Sequence, residues 1–149
     1  MDTKHESANL ILKLYELRRE ETMRKGRDWF ARFGPESGQD IMNAVMGESS
    51  AYYRMVTTYW EMVASLVNNG AIDEKMFNDA NGEHIFVFAK VEPFLAEIRQ
   101  MFNAPQALAQ LEQLVMRLPD AKERLVAMRE RSKRIAAMRA EAASKKEQV

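Results

Sequence analysis

Residues 49–70, SSAYYRMVTTYWEMVASLVNNG, limit what this chain can fold into more than any other stretch. Tyr52, Met55, Val56, Tyr59, Trp60, Val63, Leu66 and Val67 recur at the i, i+3, i+4, i+7 spacing of a helix. Tyr53 and Ala64 widen that stripe well beyond the usual apolar face. Only Arg54, Thr57, Thr58, Glu61, Ser65 and Asn68 are left to form a polar strip. A helix of this kind has to bury most of its circumference, so several others must pack around it. Ser49 or Ser50 can cap its start, and Asn68-Asn69-Gly70 marks its stop, with Gly70 taking a left-handed turn.

The segments on either side are helical in pattern as well. Ser7 is placed to cap a first helix reaching about Phe33, apolar at Leu10, Ile11, Leu14, Leu17, Trp29, Phe30 and Phe33. Its middle, RREETMRKGRD, is almost wholly polar, so the helix is either continuous and bare there or kinked near Gly26. Pro35 opens a short second helix with Glu36 and Asp40 in its first turns, and Gly47 stops it. Asp73 can cap a single turn holding Met76 and Phe77.

In the next segment strand and helix compete. Ile85 to Phe88 alone could be a strand, yet His84, Phe88, Val91, Leu95, Ile98 and Phe102 form one stripe at helical spacing. That length predicts a helix over residues 84–102, bent at Pro93, which lacks an N–H and crowds the preceding turn. Pro105 can start the helix carrying Leu108, Leu111, Leu114, Val115 and Leu118. A last helix follows Pro119-Asp120, with sparse apolar residues and a charged end expected to fray.

At 149 residues the chain suits a single core. No run approaches the roughly 20 apolar residues of a membrane span. The first residues do not follow a secretory pattern, because Lys13 and Glu16 interrupt the apolar stretch. With no cysteine there is no disulfide or thiolate site, which makes a cytoplasmic location the expectation. Net charge is zero but unevenly spread: residues 35–118 hold five basic and eleven acidic groups, residues 119–149 nine and five. Solvated helix faces account for such asymmetry; the alternative is an acidic middle meeting the basic tail of a second copy.

The segment YYRMVTTYWEMVASLVNNGAIDEKMF, followed by EPFLAEIR, resembles a bacterial family of small helical domains of uncharacterised function. Members show an aromatic helix, an xxGxID turn, a short helix and a helix ending in Arg. The resemblance covers about residues 45–102 and implies a helical fold without supplying chemistry. Members often carry a membrane span ahead of this domain, which is not expected here.

Candidates for chemistry are few. His84, near Glu83 and the acidic Asp73, Glu74 and Asp79, could serve as a metal ligand or base, but a local hydrogen-bonding role is the simpler expectation. A carboxylate-bridged metal bundle needs a Glu-x-x-His pair from two helices, and the nearest match is a lone Asp2-x-x-His5. Glu61, Glu92 and Glu97 could form buried carboxylate pairs, although Glu61 falls on the polar strip. Phosphate-binding glycine loops, nucleophile elbows and zinc spacings are missing.

The chain is therefore expected to be an all-α antiparallel bundle of five to seven helices around residues 49–70. Residues 84–102 are expected to pack on that helix. Residues 1–119 would form the bundle, and residues 120–149 a basic terminal helix. The expected function is a non-enzymatic cytosolic interaction or scaffold domain that self-associates, most simply as a dimer. Its expected interaction surface is Arg124, Arg129, Arg131, Arg134 and Arg139. The alternative is a bundle binding a small apolar ligand, with Tyr52, Tyr59, Trp60 and Phe88 lining the pocket. A further alternative, nucleic-acid binding through the basic helix, is disfavoured by an isoelectric point near 6.8. No catalytic residue, metal ligand or cofactor is assigned.

Overall fold

The computed structural model describes residues 3–148, and among them every regular element is helical. In chain order these are α1 (Thr3–Arg18), α2 (Glu21–Arg32), α3 (Gly38–Met46), α4 (Ser50–Asn68), α5 (Glu74–Ala80) and α6 (Glu83–Val91). A 3-10 turn at Glu92–Phe94 leads to α7 (Leu95–Met101), α8 (Ala109–Met116) and α9 (Ala121–Glu147). The all-α class is the one the pattern predicts. The helices among the described residues number nine, because two expected segments are each divided.

The first division falls between Arg18 and Glu21, where no glycine marks it. The Glu20 carboxylate accepts the N–H groups of Thr22 at 3.0 Å and Met23 at 2.8 Å, which caps α2 from inside the charged run. Gly26 is therefore an interior residue of α2, not a kink. Nor does Ser7 cap a helix: it lies buried within α1, and its hydroxyl accepts the backbone N–H of Asp73 at 2.9 Å. The second division is the bend at Pro93, where α6 gives way to the 3-10 turn as the missing N–H requires.

At the centre stands α4, burying Tyr53, Val56, Thr57, Trp60, Val63, Ala64 and Val67 against α2, α3, α5 and α8. Gly70 takes φ of +79°, and Ala71 N–H reaches back to Leu66 O, as expected of a left-handed stop. Ser49 makes no capping bond, and the Ser50 hydroxyl instead accepts from Arg54 Nε.

Residues 84–102 meet α4 as expected, but α4 is only part of their surroundings. The main neighbours of α6 are α8 and α9, because α8 already occupies that flank of α4. Against α4, the His84 ring centroid lies 5.7 Å from that of Trp60. Nor does α8 begin at Pro105. It begins after Leu108, a left-handed residue at φ of 56° with no side-chain acceptor to offer. The cap comes from α4: Glu61 accepts the N–H groups of Gln110 at 3.1 Å and Leu111 at 2.8 Å. Finally, α9 is helical to Glu147, with a Lys145–Glu141 pair at 3.2 Å in its last turns.

Candidate functional site

The centre of the candidate site is Lys90, the one cation in the apolar run IFVFAKV. Its side chain leaves α6 and ends on the last carbonyls of α2. Nζ donates to Phe30 O at 2.8 Å, Ala31 O at 2.9 Å and Phe33 O at 2.6 Å. A helix C-terminus leaves such carbonyls without partners and carries partial negative charge, so an ammonium suits it. The cation also lies 4.6 Å from the Phe86 ring centroid. Burial, aided by the nearby Arg139 charge, pushes the Lys90 ammonium down to about 8.

Around this group opens a cleft of about 1120 Å³. One wall is the C-terminal end of α2 with residues 33–36, the second is α6 with the 3-10 turn, and the third is α9. Phe33, Phe86, Phe94 and Ile135 make its lining apolar. Five cations border it (Arg32, Lys90, Arg129, Lys133 and Arg139) against one acid, Glu36. Arg129 is engaged with Ala89 O at 3.0 Å and Glu92 at 3.4 Å, and Arg32 with Asp28 at 3.6 Å. Lys133 and Arg139 have no counter-ion among the described residues.

The five arginines expected to form one surface are thus divided. Arg129 is half-buried and pinned inward, and Arg139 borders the cleft. Arg124, Arg131 and Arg134 are exposed. At 100° per residue Arg131, Arg134 and Met138 point away from the buried Leu125, with Arg124 on the flank beside them.

The four aromatic residues proposed to line a pocket do not lie together on either cleft described here. Trp60 and Phe88 are buried in the core, and the Tyr59 hydroxyl donates to Leu14 O at 2.6 Å. Tyr52 approaches α2 at Gly26. A smaller cleft of about 410 Å³ lies between α3, α4, α7 and residues 106–108.

His84 is fully buried between Trp60 and Phe77, whose ring centroid is 4.9 Å away. Neither of its nitrogens has a hydrogen-bond partner, and the same holds for Trp60 Nε1. Burial first, and the Arg18 charge second, push its imidazole down to about 4, so it is neutral at pH 7. The expected local hydrogen bond is not made. Its neighbour Glu83 takes a forked contact from Arg27, with Nε and Nη2 at 2.9–3.1 Å, and lies 3.6 Å from Arg18.

Among the described residues no three His, Asp or Glu side chains converge as metal ligands, and Asp2 lies outside them. None of the described helices is long and apolar enough to cross a membrane. Lys90 is the residue that sequence reasoning missed. A single cation inside an otherwise apolar run was the available signal, because such a group must find buried acceptors.

Over residues 4–118 the sequence matches the model of a family described as a domain of unknown function (DUF4760), consistent with the resemblance read from residues 45–102. The match ends just before α9 begins. No curated protein and no solved structure matches the chain.

Proposed function

The chain belongs to the DUF4760 family, whose function is unknown, and from its geometry we propose a non-enzymatic, self-associating interaction domain of the bacterial cytoplasm. The observation that carries this reading is the poor use the bundle makes of α9. That helix has 27 residues, about 40 Å of rod, and buries only Ala121 and Leu125. Arg124, Arg131 and Met138 recur at seven-residue spacing on its outer side, with Arg134 beside them, and Met138 is 62% exposed.

Two outer faces so rich in arginine repel each other, so α9 does not pair with its own copy. It docks instead on the acidic residues 35–118 of a second protomer, in the reciprocal manner of a two-fold dimer. The non-enzymatic reading draws on His84, which is neutral and enclosed by rings away from solvent.

The test is sedimentation velocity on the full chain and on the variant Arg131→Glu/Arg134→Glu. Both side chains are exposed and make no ion pair among the described residues, so thermal stability should hold while the dimer weakens at least tenfold, about 1.4 kcal/mol. A wild-type monomer throughout the micromolar range sinks the reading.

A further inference from the structure

We propose that the cleft between α9 and the α2–α6 side of the bundle binds a single-chain anionic amphiphile, a long-chain carboxylate. Its hydrocarbon would lie on Phe33, Phe86, Phe94 and Ile135, and its carboxylate would meet Lys133 and Arg139. The volume, about 1120 Å³, is slightly above the range of ordinary small-molecule sites and leaves room for an extended chain. The lining combines an aromatic floor with a few cations, which suits a hydrocarbon chain that ends in an anionic group.

The charges decide the sign and place of the head group. Arg32 and Arg129 are paired with Asp28 and Glu92, so the net positive charge of the cleft comes from Lys90, Lys133 and Arg139 against Glu36. Lys90 is not free to bind the anion, because three carbonyls already accept from its Nζ. It adds positive potential beneath the floor. Arg129 is held by Glu92 and Ala89. That leaves Lys133 and Arg139, both exposed and without counter-ions among the described residues, as the groups a carboxylate would pair with. Residue spacing on α9 puts them on the cleft side with Ala136 and Ala140, away from Arg131 and Arg134. The site is therefore separate from the surface proposed for self-association.

Isothermal titration calorimetry of the full chain tests this, with dodecanoate and its uncharged analogue dodecanol, both kept below aggregation. Saturable one-to-one binding of dodecanoate is expected, at least tenfold tighter than dodecanol. Lys133→Ala/Arg139→Ala should erase that preference, and Ala136→Asp should weaken both ligands, with melting temperatures unchanged. Arg131→Glu/Arg134→Glu, on the other side of α9, should leave binding intact even where it breaks the dimer. Binding that does not saturate, equal affinity for the alcohol, or indifference to both cleft variants overturns the proposal. Binding only to vesicles of anionic lipid, or only to an acidic peptide, overturns it too, and makes the cleft a docking surface of another class.

Discussion

At the scale of single residues, two buried groups set sharp expectations. His84 is neutral in the folded chain, with an imidazole pushed down to about 4 from its ordinary 6.5. Between those values the unfolded chain binds a proton that the folded chain does not. The stability concerned is complete above pH 6.5 and is lost as the pH falls to 4, about 3 kcal/mol in all. His84→Leu removes the titration and two polar atoms that lack partners. Its denaturant midpoint should equal or exceed the wild type at pH 7, and its decline between pH 6.5 and 4 should be visibly shallower; an unchanged decline would contradict the assignment. Lys90 is the opposite case, a buried cation with every donor engaged. Lys90→Met leaves three carbonyls at the end of α2 without their donor and should cost about 1–3 kcal/mol by chemical denaturation.

At the scale of elements, the sequence told most about α4 and least about helix ends that borrow partners from elsewhere. The stripe through Tyr53, Val56, Trp60, Val63 and Val67, the stop at Gly70 and the cap at Asp73 were all legible, because each is a local pattern. The restart at Glu20 was not. The polar run around it is explained by partners remote in sequence, Arg18 and Arg27 turning to Glu83. The start of α8 was hidden for the same reason, since its cap is Glu61 of α4. Glu61→Ala should therefore destabilise the fold by about 1–2 kcal/mol, a loss that a surface carboxylate would not produce. Gly26 is a contrasting element-scale case. A Cβ there would meet Tyr52 and Val56 at 3.5 Å, ordinary contact, so the glycine is not required by space. Gly26→Ala should raise stability by about 0.5–1 kcal/mol, read from the denaturant midpoint, because alanine is the better helix former. A fall in the midpoint would mean that α2 and α4 approach more closely than described.

At the scale of the whole molecule, α9 is one long basic helix whose first part packs on α6 and α8 of the bundle. The bundle is where the family match lies, and α9 begins just after it ends. The cleft lay outside what the sequence could show, because Phe33, Phe86, Phe94, Lys133 and Arg139 are remote along the chain and meet only when α9 folds back. The aromatic residues that did stand out, Trp60 and Phe88, went to the core, since helical spacing alone marks a buried face without saying whether a cavity adjoins it. The outer side of α9 is what the central claim rests on, so the direct test removes the exposed half of that helix and keeps the anchoring part. Light scattering after size exclusion compares the full chain with one ending at Ser132, which retains Leu125, Met128 and Arg129. A full chain near twice 17.2 kDa and a shortened chain near its monomer mass is the predicted result. A full chain at 17.2 kDa, or a dimer that survives the shortening, would contradict the claim that α9 holds two copies together.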